Sequence, residues 1–298
     1  MTQRSPDPAA RVAALSIWSG PVTPEPITGG ITNTNFVVED DGRRVFVRIG
    51  EDIPVHGVMR FNELAAARAA HAAGISPAVL HAEPGVLVTD FIEGVTLSEA
   101  ALRDEAMLTR VVPLVRRCHE EIARLASAPI LMFWPFHVAR HYAQVLRAGD
   151  SRHAGRLPDL MDKADELEKA VGPIRPVFGH NDLLPANFID DGDRLWLVDW
   201  DYAGFNSPLF DLGGLAANSQ LSREHESFVL ARYFDAEPDS GLWRRYRAMK
   251  AASALRESMW SMVSELHSTL DFDFEGYTAD NLGRFNAAWE EFLAERGQ

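Results

Sequence analysis

The chain has 298 residues, 46% hydrophobic and 24% charged, with 43 acidic against 29 Lys and Arg side chains and a formal net charge of −14. That balance argues against a nucleic-acid or anionic-membrane partner and mildly favours a cationic one; the single cysteine, Cys118, excludes an internal disulfide and a cysteine-rich zinc centre. The apolar runs fall short of the roughly 20 residues needed to cross a bilayer, and the first residues, MTQRSPDPAARVAAL, lack the core and cleavage site of a signal peptide, so the expectation is a cytoplasmic protein without stable membrane insertion.

The first third reads as strands. Residues 26–32 and 35–39 flank a turn at Gly29-Gly30. Asp40-Asp41-Gly42-Arg43 carries the Asp-Gly centre of a tight hairpin. Residues 44–49 alternate and are rich in valine and phenylalanine, as a strand is. An alanine-rich helix is predicted over 61–73, ended by Gly74, and two more strands over 77–80 and 85–90. After Glu93-Gly94 the pattern becomes helical. Thr96 and Glu99 have capping-box spacing and open a helical stretch towards Ser127. Pro113 inside it predicts a kink or a division into two helices. The rest reads as helix, except for short strands over 176–179, 187–190 and 194–200. The predicted class is α+β: a small antiparallel-sheet lobe over 1–90 and a larger, mostly helical lobe over 91–298, with a hinge near 90–95. A cleft between two lobes is a common place for nucleotides and small ligands.

The segment HNDLLPAN places His180, Asp182 and Asn187 in a His-x-Asp-x4-Asn pattern, and Asp199 ends the following apolar strand RLWLVDW. Phosphoryl transfer needs a carboxylate beside the attacking hydroxyl and oxygen ligands that hold Mg2+ against the phosphates of ATP. Asp182 suits the first role; Asn187 and Asp199 suit the second, brought together by the arms of a hairpin. Singly, these residues read better as a turn carboxylate, a turn amide and a strand-end cap. Their joint spacing matches the protein-kinase-like catalytic layout. His180 is expected to orient this loop. Arg48, mid-strand in VFVRIG, offers a planar cation for phosphate oxygens, and Glu63 on the next helix is placed to pair with it. Gly29-Gly30 would allow close approach of backbone to phosphate, and Phe91, Ile92 and Glu93 stand where backbone would meet an adenine edge.

On these residues the chain resembles the choline/ethanolamine kinase family, within the wider aminoglycoside phosphotransferase-like group, over residues 27–285. The catalytic segment carries the likeness to the wider group. GGITNTNFVV, the arginine at position 48 and the C-terminal MWSMVSELHSTLDFDFEGY narrow it. The resemblance implies a bilobal protein-kinase-like fold, ATP and Mg2+, a catalytic base at Asp182, metal ligands at Asn187 and Asp199, and a phosphate-positioning pair at Arg48 and Glu63. It also implies that Asp211 braces the catalytic loop and that Trp260 and Tyr202 wall a site for an ammonium head. Asp201 and Glu257 would add charge there, because a quaternary ammonium is held by aromatic faces and carboxylates. Core packing is the competing reading for Trp260. The sequence departs from the family at Val263, where a second tryptophan is common; the cage would then have fewer walls, or a wall from elsewhere such as Trp243 or Tyr277. The expected acceptor is a small cation, choline or ethanolamine. Thiamine, an aminoglycoside, a sugar derivative and a catalytically silent nucleotide-binding protein stand as alternatives, and a homodimer is left open.

Overall fold

The computed structural model describes residues 7–27, 33–268, 270 and 272–296; the expected Gly29-Gly30 turn lies outside them. A short helix, α1 (Pro8–Ala13), precedes three strands, β1 (Glu25–Ile27), β2 (Thr34–Asp40) and β3 (Arg43–Ile49). Asp41 and Gly42 join β2 to β3 with φ of 50° and 74°, the pair of left-handed residues that a two-residue hairpin needs. Helix α2 (Arg60–Ala72) follows, then β4 (Val79–Glu83) and β5 (Val86–Asp90). The five strands form one antiparallel sheet in the order β1-β2-β3-β5-β4.

The alternation of side chains along these strands decides what the sheet does with each face. Phe36, Val38, Val45, Val47, Val86 and Val88 share one face and pack with Val12 and Leu15 into a small core. Arg48 pairs with Asn35 and Leu87 in the intervening register, so it lies on the other face, where α2 packs.

The rest of the chain is mainly helical: β6 (Val95–Thr96), α3 (Glu99–Leu102), α4 (Glu105–Leu125), α5 (Pro135–Ala148), α6 (Leu157–Val171), β7 (Val177–Gly179), β8 (Phe188–Asp190), β9 (Leu195–Leu197), β10 (Gly204–Asn206), α7 (Pro208–Ser219), α8 (Arg223–Phe234), α9 (Ser240–His267) and α10 (Phe274–Arg296). The 28-residue α9 is the centre of the larger core, buried on nearly every side. α7 lies so close to it that a Cβ at Gly213 would meet Lys250 Cα at 2.8 Å. Among the described residues no helix is long and apolar enough to cross a membrane.

Two expectations are corrected here. Thr96 caps no helix, because it pairs with Ile189 in the β6–β8 ladder. Ser98 caps α3 instead, accepting from Ala101 N, and Asp104 caps α4, accepting from Ala106 N. The division of this stretch therefore falls at residues 103–104. α4 runs through Pro113 as one element, and Thr109 O, the carbonyl deprived of its helical donor, accepts from Arg232 Nη2 at 3.3 Å. β6 and β10 escaped prediction because two or three residues carry too little periodicity to read.

Ser76 ties the loop after α2 to the hairpin of the larger lobe. Its hydroxyl donates to Leu197 O and accepts from Trp200 Nε1 at 2.8 Å, beside a backbone bond from Leu197 N to Ile75 O. Ser76 is 2% exposed. Ser76→Ala leaves both partners buried and unpaired, so it is expected to cost about 1–3 kcal/mol. That corresponds to a melting temperature lower by about 2–8 °C in a thermal unfolding scan.

Candidate active site

The core of the site is the segment between β7 and β8. β7 pairs with β10, Gly179 opposite Gly204, and α7 starts two residues after β10, capped by Ser207. This places Asp211, in the first turn of α7, directly under the segment. Its Oδ2 accepts from His180 N at 2.8 Å and its Oδ1 from Asn181 N at 2.7 Å. His119 Nε2 lies 2.9 Å from Oδ2, and His119 Nδ1 is 2.8 Å from Tyr233 OH. Asn181 sits at φ 65°. Its amide donates to Tyr202 O and Gly204 O at 2.9 and 3.1 Å and accepts from Asn206 Nδ2 at 2.9 Å. His180 is fully buried. Its Nε2 meets Val198 O at 2.9 Å, its ring lies 4.8 Å from that of Trp200, and burial lowers its pKa, so it is a neutral donor.

With its flanks fixed, the segment turns Asp182 into a cleft. Asp182 O accepts from Leu184 N and from Asn187 Nδ2, both at 2.8 Å. Desolvation raises the Asp182 carboxyl to about 8; Arg256 pulls it down, while Glu257, Asp199 and Asp201 push it up. Asn187 lies in a 3-10 turn one residue before β8. Its carbonyl accepts from Val198 N at 3.0 Å, which brings Asn187 beside the residue preceding Asp199. Asp199 is exposed and sits at φ 69°, a conformation non-glycine residues adopt at a cost and that concentrates at functional sites. With Nδ2 of Asn187 committed to Asp182 O, its Oδ1 is the end left for a cation. Asn187 and Asp199 thus offer oxygen donors of the kind that suits Mg2+, which keeps several waters and binds phosphate oxygens. Among the described residues no group of three or more His, Cys, Asp or Glu side chains could hold a metal ion.

Facing this segment, the sheet contributes a buried charge network. Arg48 pairs with Glu63, as the spacing suggested. Sequence reasoning missed the rest: Arg60 Nη1 donates to Glu63 Oε2 at 2.9 Å and to Asp201 Oδ1 at 2.6 Å. Asn33 accepts from Arg60 Nη2 at 2.6 Å and donates to Asp201 Oδ2 at 3.1 Å. Burial and Asp201 raise Glu63 to about 7, with Arg48 and Arg60 pulling it back. Asp201 therefore faces Arg60 rather than the cleft mouth where a substrate was expected to meet it: two arginines outcompete solvent for its carboxylate. At the lobe junction Phe91 lies under Arg44 at 4.1 Å, Arg44 donates to Glu93 at 2.6 Å, and Ile92 stands half-buried between them.

The aromatic residues expected to wall the acceptor are packed together. Trp260 Nε1 donates to Tyr202 OH at 2.8 Å, and both residues are buried. The Trp260 ring lies 5.2 Å from His56 and 6.3 Å from Tyr277. Burial and Arg256 drive His56 down to about 3, so its imidazole is neutral, bonded to Tyr142 OH and Ser264 Oγ at 3.1 and 3.3 Å. Trp243 is elsewhere, beneath Arg223. Trp260 and Tyr202 do not line the small cavity between α7, α9 and α10 behind Asp182, whereas Arg256 and Glu257 do. Arg256 gave no signal in the sequence, because a lone arginine on a long helix reads as a solvated cation.

The profile described as phosphotransferase enzyme family matches residues 23–252. Protein LicA of Haemophilus influenzae is 31% identical over 214 residues, 69% of this chain and 61% of LicA, so the chain spans less than two thirds of that relative. Ethanolamine kinase 2 of Mus musculus is 25% identical over 288 residues, 86% of this chain and 73% of that one. The solved structure of a choline/ethanolamine kinase family protein from Mesorhizobium loti has a TM-score of 0.76 and 29% identity, and the match covers 96% of this chain and 97% of that one. The chain belongs to the phosphotransferase enzyme family and has the bilobal α+β fold its sequence predicted.

Asp211→Ala removes the acceptor for two buried backbone amides at once. It is expected to destabilise the protein by about 3–5 kcal/mol, the range for breaking a buried charged network. Urea unfolding measures this; a loss under about 1 kcal/mol would mean the segment holds its shape without Asp211.

Proposed function

We propose that this chain transfers the γ-phosphoryl group of ATP, with Mg2+, to the hydroxyl of a small amino alcohol of the choline or ethanolamine type. One observation carries the reading: Asp182, with its carboxyl raised into the range of a general base, stands on the segment whose own hydrogen bonds gather Asn187 and the residue before Asp199.

In this reading Asp182 accepts a hydrogen bond from the acceptor hydroxyl, orients it for in-line attack and takes its proton. Asn187 and Asp199 hold Mg2+, which neutralises charge on the phosphates. Arg48, fixed by Glu63, directs its cation at the nucleotide from the sheet side. Residues 1–90 form the nucleotide-binding lobe and residues 91–298 the catalytic one, with the backbone of Phe91, Ile92 and Glu93 at the adenine edge. Asp211 and His180 act on the chemistry only through the segment they hold, and Trp260 and Tyr202 shape the acceptor side from behind.

Asp182→Ala is expected to lower kcat by more than about a hundredfold, the usual contribution of a positioned base, while nucleotide affinity measured by calorimetry stays unchanged. Retention of most of the parent activity would remove Asp182 from the base role. The pH profile gives a second check. The active form is the deprotonated carboxylate, so kcat/KM falls as pH drops, by about tenfold per unit below about 8. A flat profile down to pH about 6 contradicts this assignment.

A further inference from the structure

Asp182 is held by its backbone and hardly at all by its side chain. Its carbonyl accepts from Leu184 N and Asn187 Nδ2, both at 2.8 Å, whereas its carboxylate accepts no hydrogen bond from any described residue. The one ion pair of that carboxylate among the described residues is with Arg256 on α9, whose Nη1 lies 3.8 Å from Asp182 Oδ1. Glu257, Asp199 and Asp201 stand near enough to repel it.

Arg256 is itself fixed from three sides. Its Nη1 donates to Glu257 Oε2 at 2.6 Å, its guanidinium lies 4.1 Å from the centre of the Tyr202 ring, and the Phe133 ring stands at 5.4 Å. Glu257 is steadied in turn by Tyr277 OH at 2.9 Å, and Tyr202 by Trp260 Nε1 at 2.8 Å. The Arg256 side chain is 4% exposed, against 16% for that of Asp182. The cation therefore backs the carboxylate and leaves its exposed edge clear, so it acts on an acceptor only through Asp182.

A residue selected for packing would be built differently. Nε and Nη2 of Arg256 are enclosed without a hydrogen-bond partner among the described residues, and a buried donor left unpaired is costly. An apolar side chain of similar volume would fill the same place on α9 without that cost. Departures of this kind from local rules concentrate at functional sites. What this one supplies is a fixed positive charge behind the carboxylate whose direction matters to the transfer.

We infer that Arg256 is a positioning residue for phosphoryl transfer: clamped by Glu257 and the Tyr202 ring, it holds the Asp182 carboxylate in the direction from which it meets the acceptor hydroxyl. This rests on the phosphotransfer reading above and adds to it a residue outside the His-x-Asp-x4-Asn segment. Glu257 acts here on Arg256, as its clamp.

The test measures acceptor-dependent ADP release from Mg-ATP by the full chain, with choline and with ethanolamine. It compares the parent, Arg256→Met, Asp182→Ala and the double variant, each normalised to folded protein by circular dichroism. Arg256→Met is expected to lower kcat by about tenfold to a hundredfold, the scale of a misplaced reacting group, with KM for ATP unchanged. On the Asp182→Ala background the same change lowers kcat by less than about twofold, because a residue that acts through Asp182 then has nothing to position. Equal losses on both backgrounds overturn the inference and leave Arg256 a purely structural part. If Arg256→Met does not fold, Glu257→Gln decides, since it keeps an acceptor for Tyr277 and removes the charge that clamps Arg256. It is expected to lower kcat by about threefold or more at unchanged KM for ATP, again only while Asp182 is present; an unchanged kcat overturns the inference. Parent turnover that survives intact in Arg256→Met and Glu257→Gln overturns the role of Arg256 and leaves phosphotransfer standing. No ADP release by the parent with either acceptor overturns the phosphotransfer reading and the role of Arg256 with it.

Discussion

Arg48, Arg60, Glu63 and Asp201 are buried together where the sheet meets the larger, mostly helical lobe. None of these ions is tolerable in the interior alone, and removing one partner leaves another uncompensated. Two positive and two negative charges therefore have to arrive in one place, from β3, from both ends of the first turn of α2 and from the residues that follow β9. Asn33 completes the set by bonding to Arg60 and Asp201 at once. Since Asp201 stands two residues from Asp199, neutralising this cluster also sets how Asp199 approaches the sheet. Asn62, on the same turn of α2, adds neutral bonds to Ala203 O and from Leu131 N at 2.7 and 2.8 Å. The start of α2 is thus the piece of the smaller lobe that meets the stretch carrying Asp199, Asp201 and Ala203.

A second constraint operates within the larger lobe. Asn181 and Asp199 both hold positive φ, and neither is glycine. Asparagine and aspartate tolerate this conformation better than most residues, but two such residues flanking one cleft persist only if their surroundings over-determine them. Asn181 receives that support from Asp211, the β10 backbone and Asn206. The buried, neutral His180 spans to Val198 O and fixes the far arm. The result is a rigid frame in which Asp182 is the residue left facing the cleft, which is what a positioned base requires.

Much of this could be read from the sequence because it is local. The Asp41-Gly42 hairpin, the alternation along β2, β3 and β5, and the His-x-Asp-x4-Asn spacing are each contained within a short window. What could not be read is set by partners far along the chain. Thr96 has the composition of a cap, yet a ladder to Ile189 claims it. Pro113 reads as a kink or a division, yet α4 runs on as one element, and Arg232 donates to the orphaned carbonyl. Arg60 and Asn33 look like surface residues until Asp201 is brought against them. His56, on a turn of three residues, gives no hint that it will stack on Trp260 more than 200 positions later.

The acceptor side shows most sharply how residue type differs from residue role. Trp260, Tyr202 and Tyr277 are the residues a cation site is made from, and they do lie together, Trp260 bonded to Tyr202 and edge-on to Tyr277. Yet a buried aromatic ring serves as a binding wall only if one of its faces is left open. Here Arg256 covers Tyr202, and His56 and Tyr277 pack against Trp260. The aromatic cluster has its cation already, supplied by the protein itself. Recognition by aromatic faces selects for a diffuse positive charge and is indifferent to hydrogen bonding.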